Sequence, residues 1–150
     1  MRIKRNHHSF HTTLPAADTS RKVAKNKANS SFRHDLKDSL KEEIKQRLKN
    51  LLVDIDAQGQ MLLRKRTLES VLQYKTLVRK FLELVIKNVY LLKEKIDFSP
   101  KGKHNVFILV ENVDNQLEEL LKLALDKEIN NLALLDKIGE IRGILIDLYS

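Results

Sequence analysis

Arg66–Ile96 reads RTLESVLQYKTLVRKFLELVIKNVYLLKEKI, and the fold depends on how these 31 residues coil. Leu68, Val71, Val78, Phe81, Val85, Val89 and Leu92 recur at steps of three, four and seven, with Leu72 and Leu82 beside them. That spacing lines them along one face of a 3.6-residue helix. Thr67 is an N-cap candidate, and the pattern runs to about Lys95. Unbroken, the rod would be about 45 Å long. It cannot bury its stripe alone, so it needs partner helices.

The rest of the chain supplies three. A helix over about 35–57 is predicted from Asp35 as N-cap and the stripe Leu36, Leu40, Ile44, Leu48, Leu51 and Ile55. Gly59 either stops it at C′ or lies inside a helix that continues through Leu63. Ser99-Pro100-Lys101-Gly102 reads as the clearest break. Beyond it Asn105 can cap a helix to about 127, since Val106, Val110, Val113, Leu117, Leu120 and Ala124 alternate steps of four and three. The all-apolar run Val106–Val110 predicts a deeply buried first turn. The last helix spans about 131–148 on Leu134, Ile138, Ile141, Leu145 and Leu148, and the short link before it predicts antiparallel neighbours. The expected fold is all-α: an antiparallel bundle of about four helices with one long central helix.

Residues 1–34 are polar, carry Pro15 and show no apolar period, which predicts a flexible basic tail ahead of one domain over 35–150. The net charge of +8 is unevenly spread. Eight basic residues and one acid give the tail +7, the middle stretch 35–103 carries +6, and residues 104–150 carry −5. The tail is the segment best suited to an anionic partner. The chain has no Cys, which excludes disulfides, thiolate metal sites and a cysteine nucleophile and suits a reducing, cytoplasmic location. No apolar run approaches the roughly 18 residues of a membrane span.

No constellation specifies a reaction. There is no Gly-rich phosphate loop, no carboxylate pair of identifiable use and no Ser-His-Asp ordering. No catalytic, cofactor-binding or metal-ligating residue is assigned, and an enzyme is not expected. His7, His8 and His11 lack the further ligands of a structural zinc site. His104 reads as packing or capping at a helix start.

The candidate interaction surface comprises Arg64, Lys65, Arg66, Tyr74, Lys75, Arg79 and Arg142. Arg64-Lys65-Arg66 leads into the central helix, and Lys75 and Arg79 share a face next to that of Tyr74 and Val78. Gly139 and Gly143, one turn apart, read as a close helix contact inside the bundle, and Arg142 between them as the partner of Glu119 or Glu140. The preferred function is therefore a non-enzymatic binding or adaptor protein using helix faces, with itself or another protein as partner. The alternative is a weak nucleic-acid or anion binder that uses the tail and the Arg64–Arg79 edge.

Two blocks also carry a family resemblance. Tyr74-Lys75-Thr76-Leu77-Val78-Arg79-Lys80-Phe81-Leu82 and Lys137-Ile138-Gly139-Glu140-Ile141-Arg142-Gly143-Ile144-Leu145-Ile146-Asp147-Leu148-Tyr149 resemble the YaaR-like family of small bacterial proteins. Gly102-Lys103-His104 sits where that family has a Gly and basic residues. The resemblance covers roughly 45–150. It implies an all-helical bundle in a bacterial cytoplasm, and it brings neither an activity nor catalytic residues.

Overall fold

The structure, a computed structural model, describes residues 2–92 and 100–149, with side chains over 27–92 and 105–149. Five helices follow in order: α1 (Arg2–Arg64), α2 (Leu68–Lys87), α3 (Val89–Leu92), α4 (Pro100–Leu125) and α5 (Asn131–Tyr149). The described residues contain no strand. The chain divides into two units, Met1–Leu40 and Lys41–Ser150.

In the first unit α1 begins at Arg2, and Asp35, expected as an N-cap, lies inside the helix and does not cap it. Between Pro15 and Gly59 no Gly or Pro interrupts α1, so Asp35 stands in mid-helix. Every side chain from 27 to 40 is exposed, including the expected stripe members Leu36 and Leu40. Helix there has no buried face to support it.

The second unit is the bundle. α1 from Lys41 onward, α2, α4 and α5 bury Ile44, Leu48, Ile55 and Leu62; Val71, Tyr74, Val78 and Phe81; Val113, Leu117 and Leu120; and Leu134, Ile141, Leu145 and Leu148. Contacts of Gln58 with Gln73, Lys75 with Glu118, and Lys137 with Glu119 join α1 to α2, α2 to α4 and α4 to α5. Gly59 is no stop: α1 runs on to Arg64. A Cβ at this buried position would lie 3.4 Å from Ile138 Cγ2 and 3.6 Å from Tyr74 Cε2, in ordinary van der Waals contact, so α2 and α5 close over Gly59 inside α1.

The central helix is not one rod. Thr67 caps α2 as predicted, its Oγ1 accepting from the Ser70 N–H at 3.2 Å. α2 then closes after 20 residues at Asn88, whose Nδ2 donates to Leu84 O at 2.8 Å and whose N–H turns back to Val85 O. Asn88 O accepts from Leu91 and Leu92, which starts the single turn of α3, and Val89 and Leu92 stay buried across the break. The expected continuation to Lys95 lies outside the described residues, as does Ser99. α4 begins at Pro100, so Gly102 and Asn105 are helical; proline suits a first turn because its missing N–H would have had no partner. Its first turns are less buried than predicted: Val106 is covered, whereas Phe107 and Ile108 are about half exposed. Asn130 caps α5, its Oδ1 accepting from the Ala133 N–H.

Candidate functional site

The structure scatters the seven residues of the expected interaction surface. Arg64 and Lys65 are exposed. Arg66 is turned inward to the end of α4. Its Nε donates to Ala124 O at 3.3 Å, its Nη2 to Leu123 O at 3.0 Å and Asp126 O at 2.7 Å, and its Nη1 to Ile129 O. These carbonyls lie at the C-terminal end of α4 and in the link after it, where a cation opposes the helix dipole; Leu123 O and Asp126 O also accept from the Asp126 and Ile129 N–H groups. Asn131 Nδ2 adds a bond to Leu63 O at 3.2 Å, so the α1–α2 link and the α4–α5 link close one end of the bundle together.

Lys75 is equally occupied. Its side chain is only 16% exposed and its Nζ meets Glu118 Oε1 at 2.5 Å. Arg79 remains exposed, its charge adding to the field on Glu118. With Arg66 and Lys75 both committed to internal contacts, the Arg64–Arg79 edge is not a continuous row of free cations.

Sequence reasoning missed Lys137, which gathers Gln116 at 2.7 Å, Glu119 at 2.6 Å and Glu140 at 3.3 Å. It takes the carboxylates expected for Arg142, which instead pairs with Asp56 on α1, Nε to Oδ1 at 3.0 Å. The hydrogen bond from Lys137 holds the Glu119 carboxyl below its usual range, that from Lys75 does the same for Glu118, and Glu119 in turn raises Lys137. A carboxylate with a depressed folded pKa contributes stability above its ordinary value near 4.5 and loses it as pH falls; the raised ammonium contributes below about 10.5 and loses it as pH rises. Stability should therefore climb through the carboxylate range. The climb should flatten in a Lys75→Met/Lys137→Met variant, measured as urea midpoints between about pH 3 and 7.

Tyr74 is fully buried, with no hydrogen-bond partner for its hydroxyl. Burial, and then the nearby Asp56 carboxylate, push its phenol well above the ordinary 10.0. An unmet buried hydroxyl costs about 1–3 kcal/mol, so Tyr74→Phe should leave stability unchanged or raise it by about 1 kcal/mol. Because the unfolded phenol ionises first, wild-type stability should fall above about pH 10, and the phenylalanine variant should lack that part of the fall. Thermal melts between pH 8 and 11 check both.

Among the described residues two grooves flank this core. One, of about 590 Å³, lies between α1 and α2 and is lined by Gln58, Leu68, Glu69, Leu72, Gln73, Thr76 and Leu77. Leu68 and Leu72, which the stripe assigned to the core, are 51% and 45% exposed. The signal available in sequence was the width of the stripe: neighbouring pairs such as Val71-Leu72 and Leu77-Val78 span more of the helix than one partner covers. The other groove, of about 430 Å³, lies between α1 and α5 beside Asp56, Gly59, Leu63, Leu135, Ile138, Gly139 and Arg142. The expected close contact at Gly139 and Gly143 is corrected: a Cβ at either would meet nothing within 4 Å. Among the described residues no group of three or more His, Cys, Asp or Glu could hold a metal ion, and no helix is long and apolar enough to cross a membrane. His7, His8, His11 and His104 lie outside the residues whose side chains are described.

The family model described as "Protein of unknown function (DUF327)" matches residues 6–149. The chain belongs to this family. It is 28% identical over 128 residues to "Uncharacterized protein YaaR" of Bacillus subtilis (strain 168), spanning 85% of this chain and 88% of YaaR. Among solved structures it is similar to uncharacterized protein BH1478 from Bacillus halodurans, with 31% identity and a TM-score of 0.69 over 77% of this chain and 94% of that one. It is also similar to Moevan, a designed granulopoietic protein made by topological rescaffolding, with 26% identity and a TM-score of 0.65 over 73% of this chain and 94% of Moevan. The YaaR-like resemblance and the all-α bundle therefore stand. The names of the DUF327 family, YaaR and BH1478 state no activity.

Proposed function

We propose that this member of the DUF327 family is a non-enzymatic adaptor of the bacterial cytoplasm that binds a partner protein through a helix face. The observation that carries the reading is the α1–α2 groove, where Leu68 and Leu72 stand about half exposed beside Leu77. Leucines gathered in one concavity, rimmed by Gln58, Glu69, Gln73 and Thr76, suit the apolar side of an amphipathic helix. They contribute little to the bundle's own stability, because they remain half in water.

Leu72→Arg tests this. The exposed site should accept the substitution with an unchanged melting temperature, while proteins retained by the wild-type chain from its host should be lost. A retained set identical for wild type and variant, or an empty set for both, would refute the groove as the working surface.

A further inference from the structure

We propose that the first unit of the chain, Met1–Leu40, is an arm that binds nucleic acid by gripping its phosphate backbone. It holds nine Lys or Arg against Asp18, Asp35 and Asp38, a net charge of +6. The other 110 residues carry only +2 between them. Between Asp18 and Asp35 lie Arg21, Lys22, Lys25, Lys27 and Arg33, and no acid. Where side chains of this unit are described, from Lys27 to Leu40, every one is exposed. Arg21 and Lys25 stand four residues apart on α1, and so do Arg33 and Lys37. Like charges at that spacing repel on a helix, and the described side chains of the unit provide no buried face to offset the repulsion. A line of phosphates does offset it.

Nucleic acid is the polyanion that fits this arm. Each strand presents one charge about every 3.4 Å of axis, so cations strung along one segment meet phosphate in any register. Six of the other eleven residues from 19 to 34 are Ser, Thr or Asn, side chains that also donate to phosphate and sugar oxygens. A membrane-surface helix needs an apolar face opposite its cations, and the large apolar residues from 19 to 34 are Val23 and Phe32 alone. Protein partners are anchored chiefly by Trp, Tyr and Arg seated in pockets, and the unit has neither Trp nor Tyr. The basic edge of the second unit does not serve instead, because Arg66 is committed to carbonyls and Lys75 to Glu118. The arm's contacts are to charge, so affinity should vary little with base sequence.

The α1–α2 groove belongs to the second unit, and the inference does not depend on the adaptor reading. Fluorescence anisotropy of the full chain with labelled duplex DNA, single-stranded DNA and RNA should give a Kd of about 1 μM at about 50 mM salt. Five phosphate contacts predict a slope of about −4.5 for log K against log salt on the duplex, a loss of roughly 500-fold by about 200 mM. Arg21→Gln/Lys22→Gln/Lys25→Gln leaves two of the five cations. The slope should fall to about −2 and binding at about 50 mM salt should weaken at least about tenfold. The melting temperature should hold, because the buried core begins at Ile44. Arg79→Gln should change neither affinity nor slope. No binding at about 50 mM salt overturns the proposal. So does a triple variant that keeps the wild-type affinity and slope, or an equal loss in Arg79→Gln, which would place binding on α2. Tighter binding to vesicles rich in phosphatidylglycerol than to any of the three nucleic acids also overturns it, and would make the arm a membrane anchor.

Discussion

Replacing Arg66 with alanine should lower the unfolding free energy by about 2–3 kcal/mol, read from urea denaturation followed by circular dichroism. The guanidinium spans Leu123, Ala124, Asp126 and Ile129, so its loss removes a charged donor from four carbonyls at the end of α4 and in the following link, of which Leu123 O and Asp126 O keep backbone donors. Each charged hydrogen bond is worth about 1.5–3 kcal/mol, but the set acts as a unit, and water can reach part of the site. The total is therefore well below the sum. Arg66→Lys separates charge from geometry. An ammonium keeps the favourable charge at the helix end but has three donors on a point, without the planar fork that reaches four acceptors, so it should recover about half the loss. A change below about 0.5 kcal/mol for the alanine variant would mean that the α4–α5 link is held by Asn130 and Asn131 without this clamp.

The same residue shows where sequence reasoning ran out. Arg64-Lys65-Arg66 looks like a solvated basic run, because nothing nearby in sequence reveals that the third member meets carbonyls 57–63 residues away. Lys137 and Arg142 illustrate the same limit. Lys137 stands one turn from Glu140, whereas Arg142, two residues from it, lies on another side of α5, and the packing of α5 against α1 and α4 assigns Asp56 to Arg142 and Glu119 to Lys137. Thr67 as a cap and the inward rows of α4 and α5 were legible, whereas the expected caps Asp35 and Asn105 lie inside helices. Gly59 defeated local propensity because Tyr74 and Ile138 close over it and hold α1 together past a residue that favours a stop. Asn88 defeated periodicity for the opposite reason. Val89 and Leu92 keep their places in the stripe, while the Asn88 side chain bonds back to Leu84 O and ends α2. The glycine pair on α5 misled in yet another way: a small residue signals room for a neighbour, yet a Cβ at Gly139 or Gly143 would meet nothing within 4 Å.

Phe81→Ala should be the most damaging single change considered, costing about 3–5 kcal/mol. Phe81 has no exposed surface and is among the largest fully buried side chains, in the same stripe of α2 as Val78 and Val85. Truncation removes its transfer free energy and leaves a void that a close-packed interior fills only in part. A bundle of this size has about 5–15 kcal/mol in hand, so the variant should melt many degrees lower and could be partly unfolded at 37 °C. Leu72→Ala on the same helix provides the contrast, and it should cost less than about 1 kcal/mol because its side chain already stands half in water. Both residues belong to the apolar pattern of Arg66–Ile96, and hydropathy alone does not rank them. Guanidinium unfolding of the two variants side by side measures the difference. A gap of at least about 2 kcal/mol identifies Phe81 as core and Leu72 as surface; equal losses would mean that the α1–α2 groove closes in solution and that Leu72 belongs to the interior.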